Sequence, residues 1–190
     1  MEIYIERARN MNQCQKTTDF RIDSELMEAI YRQYYKNVYN YIGFRINNHY
    51  DSEELASAVF ENALRKFHTY KPESSPVEAW LIGIAKNVVS DYFRKKKRKH
   101  FVPLDEIMKL VSLYRQPEDV AVKNEENRAL IKAMAKLKEK ERNILSMKFA
   151  TDLKNKEIAG ILGISESNVS VIVHRSIGKL KNYLDKEENP

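Results

Sequence analysis

The sequence contains few of the residues that build disulfide frameworks, zinc sites or membrane-spanning helices. Its 190 residues include one cysteine, Cys14, together with only five glycines and five prolines. A single thiol cannot form an internal disulfide or a cysteine-based zinc site, which is typical of proteins in a reducing cytosol. The longest apolar run, Ala79 to Ala85, is far shorter than the ~18 residues that a membrane span requires. The N-terminus lacks a signal-peptide core, so we expect a cytoplasmic protein without membrane insertion.

Charged residues, by contrast, are abundant and unequally divided between the two signs. There are 33 lysines and arginines against 27 acidic residues, and the formal net charge of +6 favours a polyanionic partner. The four histidines are scattered, and no paired-carboxylate, phosphate-loop or cysteine–histidine pattern has credible spacing. His49 stands close to several acidic residues, but helix capping explains that cluster better than a metal does. We therefore predict a protein that is not an enzyme, with no catalytic residues, metal or cofactor.

The most informative segment is EIAGILGISESNVSVIVHR, from Glu157 to Arg175. Apolar residues at helical spacing lead to Gly163, which tolerates the left-handed backbone of a helix end, and Ser165 can then cap a second helix. That second helix carries an apolar stripe formed by Val169, Val173, Ile177, Leu180 and Leu184. The pattern predicts a helix-turn-helix whose second helix lies in the DNA major groove, although a purely structural helical hairpin shares the pattern.

The front half of the chain predicts three further helices. The first begins at Asp23 or Ser24, and its apolar spacing includes several tyrosines that could stack on bases. We favour instead a helix that is buried on more than one side. Asp51 with Glu54, and Ser75 with Pro76 and Glu78, fit the capping boxes that would start the second and third helices.

The third helix continues into the basic run RKKKRK, from Arg94 to Lys99. A solvated charge run is the usual interpretation, but cations around the end of an amphipathic helix favour contact with phosphates. The expected fold is all-α, with two small helical domains joined by a flexible linker and a helix-turn-helix in the second domain. The predicted boundaries are a polar tail at 1–22, a front domain at 23–99, a linker at 100–116 and a rear domain at 117–187.

This layout resembles the extracytoplasmic-function (ECF) sigma factors, the two-domain specificity subunits of bacterial RNA polymerase. The segment DSEELASAVFENALRKF is similar to the family's second-region helix, with matches at Asp51, Glu53, Leu55 and Phe60. Ser57 and Ala58 depart from the Gln and Glu that are common there. The resemblance implies that this helix docks on core polymerase through Asp51, Glu53, Glu54, Ser57, Glu61 and Asn62.

The segment PVEAWLIGIAKNVVSDYFRKKKRK resembles the family's helix that recognises and melts the minus-ten promoter element. It matches at Pro76, Ala79, Trp80, Leu81, Ile84, Ala85, Asn87 and Asp91. A base that leaves the duplex needs a pocket, and the loop His68 to Ser75 would build it, whereas Trp80 belongs in the core. The implied contacts in this region are Tyr70, Lys71, Asn87, Asp91, Arg94, Lys95, Lys96, Lys97, Arg98 and Lys99.

The helix-turn-helix resembles the family's fourth region, which recognises the minus-thirty-five element. The implied contacts are Ser165, Ser167, Asn168, Ser170, His174, Arg175 and Lys179. After Val169 the family often has Lys-Ser-Arg, whereas this chain has Ser170, Val171 and Ile172. We therefore expect a weak or differently tuned contact with that element.

The resemblance implies two partners, core RNA polymerase and promoter DNA. An anti-sigma factor is a common third partner in the family, although no motif here indicates one. Two alternatives stay open at this point. One is a helix-turn-helix regulator with a helical N-terminal sensor domain, and the other is a nucleic-acid enzyme with a DNA-binding tail.

Overall fold

A computed structural model describes the backbone of residues 24–99 and 124–188, with side chains described for 25–96 and 129–185. These ranges contain seven α-helices and no strand: α1 Ser24–Ile46, α2 His49–Lys66, α3 Val77–Lys99, α4 Asn124–Ala135, α5 Glu139–Ala150, α6 Asn155–Leu162 and α7 Glu166–Glu188. The all-α prediction with a helix-turn-helix in the rear half is confirmed. The predicted tail at 1–22 and linker at 100–116 lie outside the described residues. No helix of the described ranges is long and apolar enough to cross a bilayer.

Helices α1, α2 and α3 form the front domain. The inward face of α2 buries Ala56, Val59, Phe60 and Ala63, and α3 adds Leu81, Ile82, Ala85 and Val89. Trp80 is half-buried and packs against this core, as the sequence predicted. The three helices therefore leave one outer face of α2 and one flank of α3 in contact with solvent.

The starts of α2 and α3 differ from the predicted capping boxes. Asn48, not Asp51, caps α2, because its side-chain oxygen accepts the Asp51 N–H at 3.0 Å. At the start of α3, Glu78 turns away from the helix end and accepts a hydrogen bond from Asn37 on α1 at 2.7 Å. The two predicted boxes were therefore wrong: α2 begins earlier than predicted, behind its local cap Asn48, and in the second box Asn37 binds the Glu78 side chain.

In the rear domain, α4, α5 and α7 pack around Ala133, Met134, Leu137, Leu145 and Leu180. The buried residues of α6, Ile158 and Ala159, belong to the larger core that includes the front domain. The buried stripe of α7 differs by one position from the prediction. Ile177 is 45% exposed, and Ser176 is fully buried in its place. A small residue at this position lets α7 approach its neighbours closely, which a bulky isoleucine would prevent.

The two domains pack against each other, and α1 lies between them. One side of α1 contacts α2 and α3, and the other side contacts α5. The buried core is continuous across this boundary, from Leu26 in α1 to Val169 in α7. The prediction that α1 is buried on more than one side is confirmed, and its second side is covered by the rear domain.

Polar groups cross the boundary where α1 and α3 of the front domain meet α5 and α6 of the rear domain, which we call the seam. Tyr41, fully buried, donates a hydrogen bond to Asn143 Oδ1 on α5 at 2.8 Å. Lys86 Nζ on α3 donates to the Ile161 carbonyl near the end of α6 at 3.1 Å, where a cation also complements the helix dipole. Burial raises the pKa of the Glu78 carboxyl, although the Asn37 hydrogen bond opposes the rise and the nearby Asp152 charge adds to it.

Replacing Tyr41 by Phe tests how much the seam contributes to stability. The change removes one hydroxyl and leaves Asn143 Oδ1 without its donor, so we expect a loss of about 1–3 kcal/mol in the free energy of unfolding. Tyr31→Phe is the matched control, because Tyr31 is 42% exposed and should change stability by less than about 0.5 kcal/mol. Urea denaturation measures both values, and equal effects would contradict the packed seam.

Candidate nucleic-acid interface

The turn between α6 and α7 has the geometry of a helix-turn-helix. Gly163 adopts φ 65° and ψ 36°, which is the left-handed region, and the Ile164 N–H donates back to the Ala159 carbonyl at 3.1 Å. Ser165 Oγ then accepts the Asn168 N–H at 3.2 Å, which caps the start of α7. Both sequence predictions for this turn, the left-handed Gly163 and the Ser165 cap, are confirmed.

The polar face predicted for α7 is open to solvent. Ser165, Ser167, Asn168, Ser170, His174 and Arg175 are all exposed. One of them is held by the neighbouring helix, because Asn155 Nδ2 donates to Ser170 Oγ at 2.9 Å. This bond fixes the position of Ser170 on the outer surface and ties the two helices of the motif together. The first turns of α7 therefore present a polar surface that can reach base edges.

Lys179, the last predicted contact on α7, is engaged inside the rear domain. Its Nζ lies 2.5 Å from Glu141 Oε1 on α5. The hydrogen bond from Lys179 lowers the pKa of the Glu141 carboxyl below its usual range. Lys179 thus joins α7 to α5. Its side chain is half-exposed, so its ammonium group is only partly available to a phosphate.

A second candidate surface lies where the loop after α2 meets α3. Tyr70, Phe67 and Trp80 form an aromatic cluster, with ring centroids 5.3 Å apart for Tyr70 and Trp80 and 5.9 Å apart for Phe67 and Trp80. The Tyr70 hydroxyl donates to the Ser75 carbonyl at 3.2 Å, which closes the loop on itself. Lys71 is exposed beside Tyr70. The loop is therefore short and aromatic at its base, and it exposes both Lys71 and Glu73 at its surface.

The exposed flank of α3 carries the remaining predicted contacts of this surface. Asn87 and Asp91 are exposed, and Asp91 forms an ion pair with Arg94 at 2.9 Å. Lys95 and Lys96 are also exposed, while the side chains of Lys97, Arg98 and Lys99 lie outside the described residues. Because α3 continues through the basic run to Lys99, these cations follow the same helix as Asn87.

The outer face of α2 is acidic. Glu53, Glu54, Ser57 and Glu61 are exposed, and Asn62 is half-buried and accepts a hydrogen bond from Arg65 at 3.2 Å. The structure separates Asp51 from this set, since its carboxylate accepts the Tyr92 hydroxyl of α3 at 2.6 Å. Asp51 thus links α2 to α3 and orients the surface only indirectly.

An aromatic ladder on α1 extends this acidic face. Tyr31 lies 4.8 Å from Phe60 of α2 and 5.0 Å from Tyr35, measured between ring centroids. The Tyr39 hydroxyl and His49 Nδ1 are 2.6 Å apart, and His49 Nε2 lies 3.4 Å from Glu53. These contacts make the tyrosines a half-buried support for α2 rather than a free stacking platform. Within the described ranges no group of histidine, cysteine and acidic residues could hold a metal ion.

Local sequence patterns did not predict the contacts of three residues that shape these surfaces, namely Lys86, Tyr92 and Asn155. Tyr92 positions Asp51, Asn155 positions Ser170, and Lys86 lies beside Asn87 but reaches across the seam to Ile161. Each acts through a partner between 15 and 75 residues away in the chain. Local spacing carries no signal for such pairs.

Two family models match the chain, and together they cover both domains. The model described as Sigma-70 region 2 matches residues 30–99, and the one described as Sigma-70, region 4 matches residues 127–180. The RNA polymerase sigma factor YlaC of Bacillus subtilis is 30% identical over 162 residues, which are 84% of this chain and 92% of that protein. The ECF RNA polymerase sigma factor BldN of Streptomyces coelicolor is 28% identical over 85% of this chain, which spans 61% of BldN's length.

Solved structures share the fold at lower identity. The sigma factor RpoE, solved with the anti-sigma factor NepR from Bartonella quintana, superposes with a TM-score of 0.67 at 17% identity and covers 83% of this chain and 96% of its own. CnrH, solved with the cytosolic domain of CnrY, gives a TM-score of 0.66 at 17% identity over 97% of this chain and 96% of its own. These likenesses concern the arrangement of helices.

The turn of the helix-turn-helix can be tested with two glycine substitutions of opposite expected sign. Gly163→Ala forces a Cβ into the left-handed region and should destabilise the chain by about 1–2 kcal/mol. Gly178→Ala lies in the exposed interior of α7, with no atom within 4 Å of the added Cβ, and should stabilise it by about 0.5–1 kcal/mol. Thermal denaturation without DNA distinguishes them, and a stabilised Gly163→Ala variant would refute the assigned turn.

Proposed function

The chain belongs to the ECF RNA polymerase sigma factors, and from that premise we propose which surface performs each step of transcription initiation. The chain binds core RNA polymerase in the cytoplasm, brings it to promoters and assists their opening, without catalysis of its own. The observation that carries this proposal is the separation of an acidic helix face, a basic loop-and-helix surface and a helix-turn-helix onto different elements of two domains.

The acidic outer face of α2 is the proposed dock for core polymerase. Glu53, Glu54 and Glu61 present carboxylates to solvent, and Ser57 lies between them on the same face. The opposite face of α2 is buried in the front-domain core, so only the outer face of this helix is available to a partner. Asp51 contributes by fixing the angle between α2 and α3 through Tyr92. The dock is therefore held in a fixed relation to the DNA-contacting helix.

The loop at 68–75 and the exposed flank of α3 form the proposed minus-ten surface. Lys71, Arg94, Lys95 and Lys96 supply cations for phosphates, and Asn87 offers an amide to a base or sugar. The aromatic cluster beneath the loop gives a rigid floor against which an unstacked base can rest, which offsets part of the few kcal/mol that unstacking costs.

The first turns of α7 form the proposed minus-thirty-five surface. Ser167, Asn168 and Ser170 stand near its N-terminus, where a recognition helix reaches base edges, and Arg175 is placed to meet the backbone. Val171 is 45% exposed on this helix. An apolar group here can contact a thymine methyl. The chain would then make an apolar contact with a base where the family often has a cation after Val169.

The packed arrangement of the domains implies that they separate when both promoter elements are bound. Lys86, adjacent to Asn87 on the proposed minus-ten surface, is occupied by the Ile161 carbonyl of the rear domain. DNA phosphate and Ile161 therefore compete for the same ammonium group. An anti-sigma factor, the class of partner named for RpoE above, would act by preventing this separation.

Run-off transcription with purified core polymerase tests the proposed function directly. We expect promoter-specific transcripts only when the chain is present. Glu53→Lys should weaken association with core polymerase at least tenfold, because it reverses one exposed charge of the dock. Glu28→Lys is the matched control, since Glu28 is an exposed α1 carboxylate outside the dock. Operator binding without any core-dependent transcript would indicate a helix-turn-helix regulator instead.

Two substitutions on α7 separate base selection from phosphate binding. Asn168→Ala should weaken one class of upstream element by about 1–3 kcal/mol and relax the preference at one base pair. Arg175→Ala should weaken binding to all upstream sequences by a similar factor, because a phosphate contact carries no sequence information. Competition binding of the polymerase complex to promoter variants measures both effects. If both variants change the preference among promoter sequences in the same way, base selection and phosphate binding are not separated along α7 as we propose.

A further inference from the structure

Two arginines lie at the seam, one from each domain, and the Glu139 carboxylate is close enough to both to act on their charges. Arg45, on α1, has a side chain that is only 4% exposed, and Arg142, on α5, is half-buried. The Nε atoms of both are buried, and neither has a hydrogen-bond partner among the described residues. A buried N–H without an acceptor costs free energy, and on a charged group the cost is larger than usual. An acceptor supplied by a bound molecule would remove that cost.

The groups around the pair do not neutralise it. Arg45 lies over the Phe93 ring at 5.8 Å, and the buried Tyr41 hydroxyl, which burial keeps neutral with a pKa of about 12, serves as its acceptor. The one carboxylate close by is Glu139, whose Oε1 is 3.7 Å from Arg45 Nη2, beyond hydrogen-bond length, and whose side chain is 70% exposed. Burial, followed by the charge of Arg45, lowers the pKa of Arg142, and Glu139 opposes this.

A second acid of α5 is not available to the arginines. Glu141 is held by Lys179 on α7, as described above. Lys138 and Lys140, the sequence neighbours of Glu139, are exposed and add positive charge to this part of α5. Two guanidinium groups therefore share one solvent-exposed carboxylate, and the local charge remains positive.

We propose that Arg45 and Arg142 form a binding site for a small phosphate-type oxyanion, and that its occupation holds the two domains together. Guanidinium groups present several N–H donors in a planar fork that matches phosphate oxygens, and two of them can hold one dianion from both sides. Access is from the side of Glu139, whose weak and exposed contact the anion would displace. The DNA backbone does not fit, because Arg45 is almost fully enclosed by its own chain.

The site couples ligand binding to domain arrangement because its two halves come from different domains. Arg45 belongs to α1 and Arg142 to α5, so the complete site exists only in the packed form. A ligand that binds one form alone shifts the equilibrium toward that form by a factor of 1 + [L]/Kd. At ten times its Kd, the anion should raise the ratio of packed to separated chains about tenfold.

Titration of the full chain with inorganic phosphate tests the proposal, with sodium chloride at equal ionic strength as the reference. We expect saturable heat of binding by calorimetry and a higher melting temperature with phosphate than with chloride. Arg142→Gln should lose both effects. Arg32→Gln should retain them, because Arg32 is an exposed arginine of α1 paired with Glu28, far from any proposed site. Glu139→Gln, a change at an exposed position, should bind phosphate several-fold more tightly because it removes the competing carboxylate.

Further arms of the same experiment identify the source of the anion and the effect on the domains. Pyrophosphate and a nucleoside diphosphate, compared with inorganic phosphate, show whether the site takes a free ion or the phosphoryl end of a nucleotide. Small-angle scattering should show no expansion when the site is saturated, because the anion holds the domains in the packed form of the free chain. The proposal is overturned if phosphate acts no differently from chloride, if Arg142→Gln responds like the unchanged chain, or if binding expands the chain. None of these readouts involves polymerase, so their failure would leave the proposed sigma activity intact.

Discussion

Helix α1 packs against both domains at once, and that constraint fixes how the front domain lies against the rear domain. One side of α1 completes the front-domain core with α2 and α3, and the other side packs on α5 of the rear domain. Tyr41, fully buried between them, needs a polar partner and finds it in Asn143 across the seam. The outer face of α2, which is the proposed dock, and the exposed flank of α3 are left open because the inner sides of both helices are buried against α1 and each other.

The interface at the seam is stable enough to pack the domains and weak enough to open. Its apolar part is continuous with both cores, whereas its polar part consists of single hydrogen bonds and incompletely paired charges, at Tyr41, Lys86, Glu78 and the Arg45–Arg142 pair. A hydrogen bond exchanged with water contributes only about 0.5–1.5 kcal/mol, so the polar groups can be re-solvated at modest cost. A wholly apolar seam of the same size would have joined the domains permanently. The polar composition therefore suits a protein whose two halves must reach separate DNA elements.

The sequence was sufficient to predict those features that depend on residues close together in the chain. Gly163 and Ser165 define the turn of the helix-turn-helix, and both behave as their chemistry indicates. The exposure of Glu53 and Asn168 also follows from helical periodicity alone. The predictions that failed involved distant competition: Glu78 bonds Asn37 instead of its own helix end, and Ser176 displaces Ile177 from the stripe because α7 packs closely. No local sequence pattern predicts the seam, because Tyr41 and Asn143, which form a hydrogen bond across it, are 102 residues apart.

The central claim is that the domains are packed in the free chain and separate when the chain acts on polymerase. Pairs of spin labels, one at Lys66 on α2 and one at Asn182 on α7, report the distance between the domains after Cys14 is replaced by Ser; both positions are exposed. Pulsed electron resonance should give one short, narrow distance distribution for the free chain and a longer one for the complex with core polymerase and promoter DNA. The same short distribution in the active complex would contradict the account, because Lys86 and its neighbours would then remain covered while the promoter is bound.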